Sequence, residues 1–445
     1  LLVRVMIENQ IPATGIRVLA PGSLPGDGSP APVFKAGFLE RLQDNSAALR
    51  FMDWGATNAA THATWAERRR PEFYTQDSPT AYEHMIALAN AANKDLWVCV
   101  PHTADAQYIQ NLATLILHGT DGGVPVVEPL AAHLKVYVEW SNEVWNSQFP
   151  QHAWALAAAR ARLGLGASEA LPNYNEVWKI IGEKHAETFR IFADVFRSAG
   201  QRPRLVRVLG TQIGGNLVGL HMTGIESIAS AETDPTLRSE YYPDCVAVGA
   251  YFGHNISTWV VNNTNYTNPG PADYDAAFSA VRNDILTTYN NYLRNSSAAA
   301  ANHALELIAY EGGQHIVGVG SEQNNSALST FLGTMNRDPR MGEMTSLSLD
   351  LWEMHGGGLF MAYNEASPYG SYGSWGFREH WYQELAEAPK AAAFNNWLRR
   401  MQQSHLLSYE LAGTALGDPL AGRLDFITKT APVNLSISGG ALPHG

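Results

Sequence analysis

The chain has 445 residues, 45% hydrophobic and 16% charged, a size that fits two or three domains or one α/β barrel with long loops. Lys and Arg number 30 against 42 Asp and Glu, a net charge of −12, which opposes nucleic acid or an anionic membrane surface as partner. No apolar run approaches the roughly 18 residues of a membrane span, and two cysteines exclude a disulfide scaffold.

In chain order, LLVRVMIE opens the sequence and predicts an accessory strand within residues 1–10. Short β-branched runs then alternate with longer helix-period stretches through residue 404. Eight runs read as strands: GIRVLAPG from Gly15, ALRFMDWG from Ala48, DLWVCVPH from Asp95, LKVYVEWSNE from Leu134, RLVRVLGTQ from Arg204, CVAVGAYFG from Cys245, LELIAYEGG from Leu305 and GGLFMAYNE from Gly357. The clearest helices are FKAGFLERLQ, AYEHMIALANAANK, DAAFSAVRNDILTTYNNYL and PKAAAFNNWLRRMQ, after the first, second, sixth and eighth runs. Polar, turn-rich inserts occupy Leu165 to Glu176, Gly253 to Asp273 and Pro368 to Phe377, and the run Arg68 to Arg70 reads as a solvated helix end or loop. Residues 405–445 hold LLSYELAG, RLDFITK and PVNLSIS, which alternate like strands.

Eight βα units predict an α/β fold, a closed (β/α)8 TIM barrel over residues 11–404, with a small accessory β-sheet from the two termini. An open doubly wound sheet usually carries GxGxxG at its first turn, which this chain lacks. Cys99 and Cys245 lie in apolar runs, where a thiol is a small buried hydrophobe. The start at Leu1, without a basic stretch followed by an apolar one, favours a trimmed form of a secreted or periplasmic protein.

A barrel of this class keeps its site at the C-terminal ends of the strands. Those ends supply Arg50, Asp53 and Trp54, then His102, Asn142 with Glu143, Gln212, Tyr251 and His254, Glu311, and finally Tyr363, Asn364 and Glu365. Glu143 and Glu311 end the fourth and seventh runs and face each other across the mouth. Two carboxyl groups about 5 to 5.5 Å apart suit retaining glycoside hydrolysis, one protonating the leaving oxygen while the other attacks the anomeric carbon. Their neighbourhoods must differ, so that one keeps a proton and the other stays ionised. Arg50 is placed to keep Glu311 charged, Tyr251 to hydrogen-bond it, Asn142 to bind a sugar hydroxyl and His102 a neighbouring one. Among the aromatics Trp54, Trp140, Trp145, Trp259 and Trp375, Trp145 and Trp375 rank first as sugar platforms, with Tyr363 beside them. Glu139, four residues before Glu143, predicts an inward side chain one layer deeper that orients another residue. HExxH, HxH, CxxC, GxxxxGK[ST] and GxSxG are missing, and hydrolysis of an acetal by two carboxyls calls for no metal or cofactor.

EWSNEVWN from Glu139, with AYEGG around Glu311, resembles clan A of the retaining glycoside hydrolases. The resemblance implies a (β/α)8 barrel with Glu143 as acid/base after Asn142, Glu311 as nucleophile, Arg50 as the clan's strand-two arginine and Tyr251 as its strand-six tyrosine. RFMDWGATN, VEWSNEVWNSQFP and YEGGQH also resemble bacterial proteins loosely labelled cellulose-binding or cellulase-like. Two departures stand out: Val144 replaces the proline that follows the acid in several families, and the eighth run lacks the usual tryptophan, for which Tyr363, Trp375 or Trp352 are substitutes. The expected function is endo-acting hydrolysis of a β-linked polysaccharide, β-1,4-glucan first, then β-1,3-glucan, mannan and xylan. A non-catalytic sugar-binding barrel and a transglycosylase using the same residues are the alternatives.

Overall fold

A computed structural model describes residues 33–411 apart from Tyr74. The run from Gly15, the N-terminal LLVRVMIE and the tail from 412 onward lie outside the described residues. Seven strands form one parallel sheet in chain order: β1 Ala48–Arg50, β2 Asp95–Val100, β3 Val136–Trp140, β4 Leu205–Thr211, β5 Cys245–Phe252, β6 Glu306–Gln314 and β7 Phe360–Ala362. They are the second to eighth expected runs, and helices connect them on the outside, giving a nearly closed TIM barrel.

Both faces of these strands are covered, so their sequences read as near-continuous apolar runs. Alternate residues part company: Trp97, Cys99, Tyr137, Val206, Val208, Cys245, Ala247, Ile308 and Tyr310 fill the barrel interior, while Leu96, Val98, Val136 and Val138 meet the helices. The interior is a packed plug whose largest ring, Trp97, is 0% exposed. Truncating it to alanine would cost about 3–5 kcal/mol. The plug forms a floor on which the mouth residues stand.

The helices begin and end where local chemistry allows. Helix Ala106–His118 starts at Asp105, whose carboxylate accepts from the Tyr108 amide at 2.7 Å, and stops at Gly119 with φ 67°. A Cβ at Gly119 would sit 2.0 Å from the Val127 carbonyl oxygen, so only glycine fits. Among the described residues no strand lies between β1 and β7. Their edges border an apolar groove of about 400 Å³, walled by Phe38, Leu42, Phe394 and Trp397, which reaches Arg50, Glu311 and Tyr363 at the strand ends.

Three expectations are corrected, for LLSYEL, for the insert after β5 and for Arg68. A two-stranded antiparallel sheet pairs Thr120–Asp121 with Val124–Pro125, between helix Ala106–His118 and β3. LLSYEL continues helix Pro389–Leu411, because Leu and Glu also propagate a helix already nucleated upstream. The insert after β5 contains helix Ile256–Asn263, which buries Ile256 and Val260. Arg68 is not solvated: it is 5% exposed and pairs with Glu83 at 2.7 Å and Asp121 at 3.1 Å. Among the described residues no helix is long and apolar enough to cross a membrane.

Candidate active site

Two irregular strand ends deliver the two glutamates. After β3, Ser141 (φ 60°) and Glu143 (φ 41°) both take left-handed backbone, which costs of order 1–3 kcal/mol each for residues other than glycine. Surrounding bonds hold the curl: Ser141 donates its amide to the Val100 carbonyl at 2.7 Å, Gln151 donates to the Asn142 carbonyl at 2.7 Å, and the Asn146 amide donates to the Glu143 carbonyl at 2.8 Å. Successive side chains Asn142 and Glu143 thereby reach the same mouth.

On β6 a bulge does this work. Val248 pairs with Ala309 but Gly249 pairs with Glu311, so Tyr310 is an extra residue. In a regular strand Tyr310 and Glu311 would face opposite sides; with the bulge both enter the barrel. Gly249 opposite is part of the design, since a Cβ there would lie 3.1 Å from the Tyr310 hydroxyl.

Arg50 ties the mouth together. Its Nη1 donates to Glu311 Oε1 at 2.7 Å, Nε and Nη2 donate to Glu139 Oε2 at 3.1 and 2.9 Å, and Nη2 also reaches Asn142 Oδ1 at 2.8 Å. Trp97 Nε1 donates to the same Glu139 oxygen at 3.0 Å. Tyr251 donates to Glu311 Oε2 at 2.9 Å, completing a clamp on both oxygens of that carboxylate. Asn142 in turn donates to Asn58 Oδ1 at 3.1 Å, and Gln151 donates to that same oxygen at 2.7 Å.

Glu143 has a different setting. It is half-buried and accepts only from neutral groups, Tyr310 Oη on Oε1 and Asn146 Nδ2 on Oε2, both at 3.0 Å. Burial pushes its carboxyl above the usual range, against the two donors. Burial likewise pushes Glu311 up to about 7, opposed by Arg50 and Tyr251 and aided by the charge of Glu143. The single guanidinium is divided between Glu139 and Glu311, which explains why it does not hold Glu311 lower. Both carboxyls are thus raised by burial and titrate as a pair that shares its protons, with a hydrogen-bonded cation only on the Glu311 side.

The other expected residues separate into two groups. Tyr363 and Trp375 flank Tyr251, with ring centroids 6.5 and 5.8 Å from it, and Tyr363 donates to Asp53 at 3.3 Å. Trp375 stands on a loop whose Ser374 carbonyl is held by buried Lys390 at 2.5 Å and Gln314 at 2.7 Å. Trp145 reaches the mouth through its indole, which donates to the Tyr310 hydroxyl at 3.2 Å. His102 instead packs its ring edge-on to Trp154, 6.4 Å away, in a buried position. Trp140 and Trp352 are 2% and 0% exposed in the outer layer, and Glu365 pairs with Arg378 at 3.1 Å and Arg41 at 3.8 Å. Sequence reasoning missed Tyr310, Asn146, Asn58 and His315; the His315 ring lies 4.9 Å from Trp375. For Tyr310 the available signal was its adjacency to Glu311 opposite a glycine of the neighbouring strand.

No protein-family model and no curated protein matches the chain. Among solved structures it is similar to a GH51 arabinofuranosidase from Xanthomonas axonopodis pv. citri, with 13% identity and a TM-score of 0.42 over 74% of this chain and 60% of that one. It is also similar to a fungal β-1,4-galactanase, with 14% identity and a TM-score of 0.23 over 71% of this chain and 89% of that one. Both neighbours are named for cleaving glycosides, and the chain spans less than two thirds of the arabinofuranosidase.

Proposed function

We propose that the chain is a retaining glycoside hydrolase acting on a β-linked polysaccharide, with Glu143 as acid/base and Glu311 as nucleophile. The observation that carries this reading is the contrast at the mouth: one carboxyl clamped by Arg50 and Tyr251, the other held only by Tyr310 and Asn146. In the first step a Glu311 oxygen bonds to the anomeric carbon as the bond to the glycosidic oxygen breaks, and the Glu143 proton passes to that oxygen. In the second step Glu143 takes a proton from water, whose oxygen attacks the same carbon and releases Glu311. Tyr363 and Trp375 offer rings to the sugar face, and the Asn142 amide keeps one hydrogen for a hydroxyl.

The substrate ranking remains β-1,4-glucan, then β-1,3-glucan, mannan and xylan, cleaved internally. Incubation with that panel, reading new reducing ends, product lengths and the anomer first formed, tests it. Expected are oligosaccharides of retained configuration, and loss of all cleavage in Glu311→Ala. Release of monosaccharide alone defeats endo action, and an inverted first product defeats the role of Glu311.

A further inference from the structure

Tyr310 is fully buried, and its hydroxyl meets two groups of the mouth. It lies 3.2 Å from the Trp145 indole nitrogen and 3.0 Å from Glu143 Oε1. An indole N–H only donates, so the phenol oxygen accepts from Trp145 and its own proton is left to donate to Glu143. The direction of this chain of bonds is therefore fixed by its first member. Alanine at Gly249 would crowd the phenol, with a Cβ 3.1 Å from the hydroxyl and 3.4 Å from the ring. The Arg50 guanidinium carbon stands 5.2 Å from the Tyr310 ring centroid, which places the ring against the cation that holds Glu311.

We propose that Tyr310 is a positioning residue for the acid/base: its hydroxyl, backed by Trp145, fixes Oε1 of Glu143 and favours the ionised form of that carboxyl. The kinetic consequence rests on the glycosidase reading above; the contact and its effect on Glu143 do not. A donor to a carboxylate lowers its pKa, and here it opposes the burial that raises it. That balance suits a group that gives a proton in one step and takes one in the next.

Tyr310→Phe removes the donor and keeps the ring, so Glu143 holds its proton to higher pH. The alkaline limb of kcat/KM, which reports the acid in the free enzyme, moves up by about one pH unit, the size expected for one hydrogen bond to a charged group. The second step needs the carboxylate and slows near neutral pH. An aryl glycoside with a good leaving group therefore shows a lower kcat at little-changed kcat/KM. A phenol that only filled space would lower activity without moving the limb.

The direct test is a carbon-13 NMR titration of the full chain labelled at glutamate Cδ, with the Glu143 resonance identified by its loss in Glu143→Gln. Expected is an upward move of the Glu143 titration in Tyr310→Phe and a smaller upward move in Trp145→Phe. An unmoved Glu143 in folded Tyr310→Phe overturns the proposal, whatever the activity. Should Tyr310→Phe not fold, the Trp145→Phe titration decides, and no movement there overturns it equally. A wild-type protein that cleaves no glycoside defeats the glycosidase reading alone, because the titration still decides the role of Tyr310.

Discussion

The ends of β3 and β6 bring the same side chain to one mouth by opposite means. β3 curls two residues into left-handed backbone, and β6 inserts one residue. Glu143 arrives half-buried among neutral donors; Glu311 arrives 7% exposed against a guanidinium. The difference teaches that backbone irregularity sets where a carboxyl stands, whereas its neighbours set which charge it carries. The proposed division into acid and nucleophile rests on these unequal surroundings, which two regular strand ends would not provide.

Exchanging the charge on the β3 side has the largest expected effect. Glu143→Gln lowers cleavage of substrates with poor leaving groups by roughly 10²–10⁴-fold, while aryl glycosides with good leaving groups lose far less in the first step. Pre-steady-state rates on the two substrate kinds check this, and an equal loss on both would break the division of roles. On the β6 side, Arg50→Met leaves Glu139 and Glu311 without their cation and costs about 3–5 kcal/mol of stability, readable as a lower urea midpoint. A midpoint near wild type would mean that the guanidinium is not what distinguishes the two ends.

The pH dependence of stability sharpens the same comparison. Glu311 is raised by burial from 4.5 to about 7, so between these values the folded protein binds more protons than the unfolded chain. The contribution is fully present below about 4.5 and is lost as the pH rises through about 7. Half-buried Glu306, also raised by burial to about 7, acts in the same sense at the other end of β6. Melting temperatures at pH 5 and pH 8 should therefore differ less in Glu311→Gln than in wild type; an unchanged difference would show that β6 does not hold a raised carboxyl at its mouth. Smallest is Trp375→Ala, which should raise KM severalfold on oligosaccharides with kcat little altered, whereas an unchanged KM removes that ring from the path of the substrate.

The barrel was legible because buried parallel strands write themselves as Val- and Leu-rich runs, and all seven strands of the barrel sheet coincide with expected ones to within a residue or two, or are shorter than them. Glu143, Glu311, Arg50 and Tyr251 were legible as strand ends, since parallel register carries consecutive ends to one rim. Tyr310 was not, because alternation assigns successive residues to opposite faces and nothing in the string AYEGG announces a bulge. The fate of His102 and Arg68 was hidden for another reason: their partners Trp154, Glu83 and Asp121 come from separate helices and turns. LLSYEL failed at the level of length, where six residues fit a strand or one and a half helical turns and the preceding helix decided.

One guanidinium among three carboxyl groups of the mouth, two of them on it, also bears on what the mouth would hold most tightly. With Glu139 and Glu311 on Arg50 and Glu143 held by Tyr310 and Asn146, the site has more latent negative than positive charge. A sugar is neutral in its ground state and gains positive character at the anomeric carbon as the bond breaks, so the imbalance favours the later species over the earlier one. On the proposed reading the same imbalance makes a cationic ring, such as a protonated iminosugar, a better occupant than the uncharged sugar of equal shape, and the preference grows as the shared proton leaves the pair.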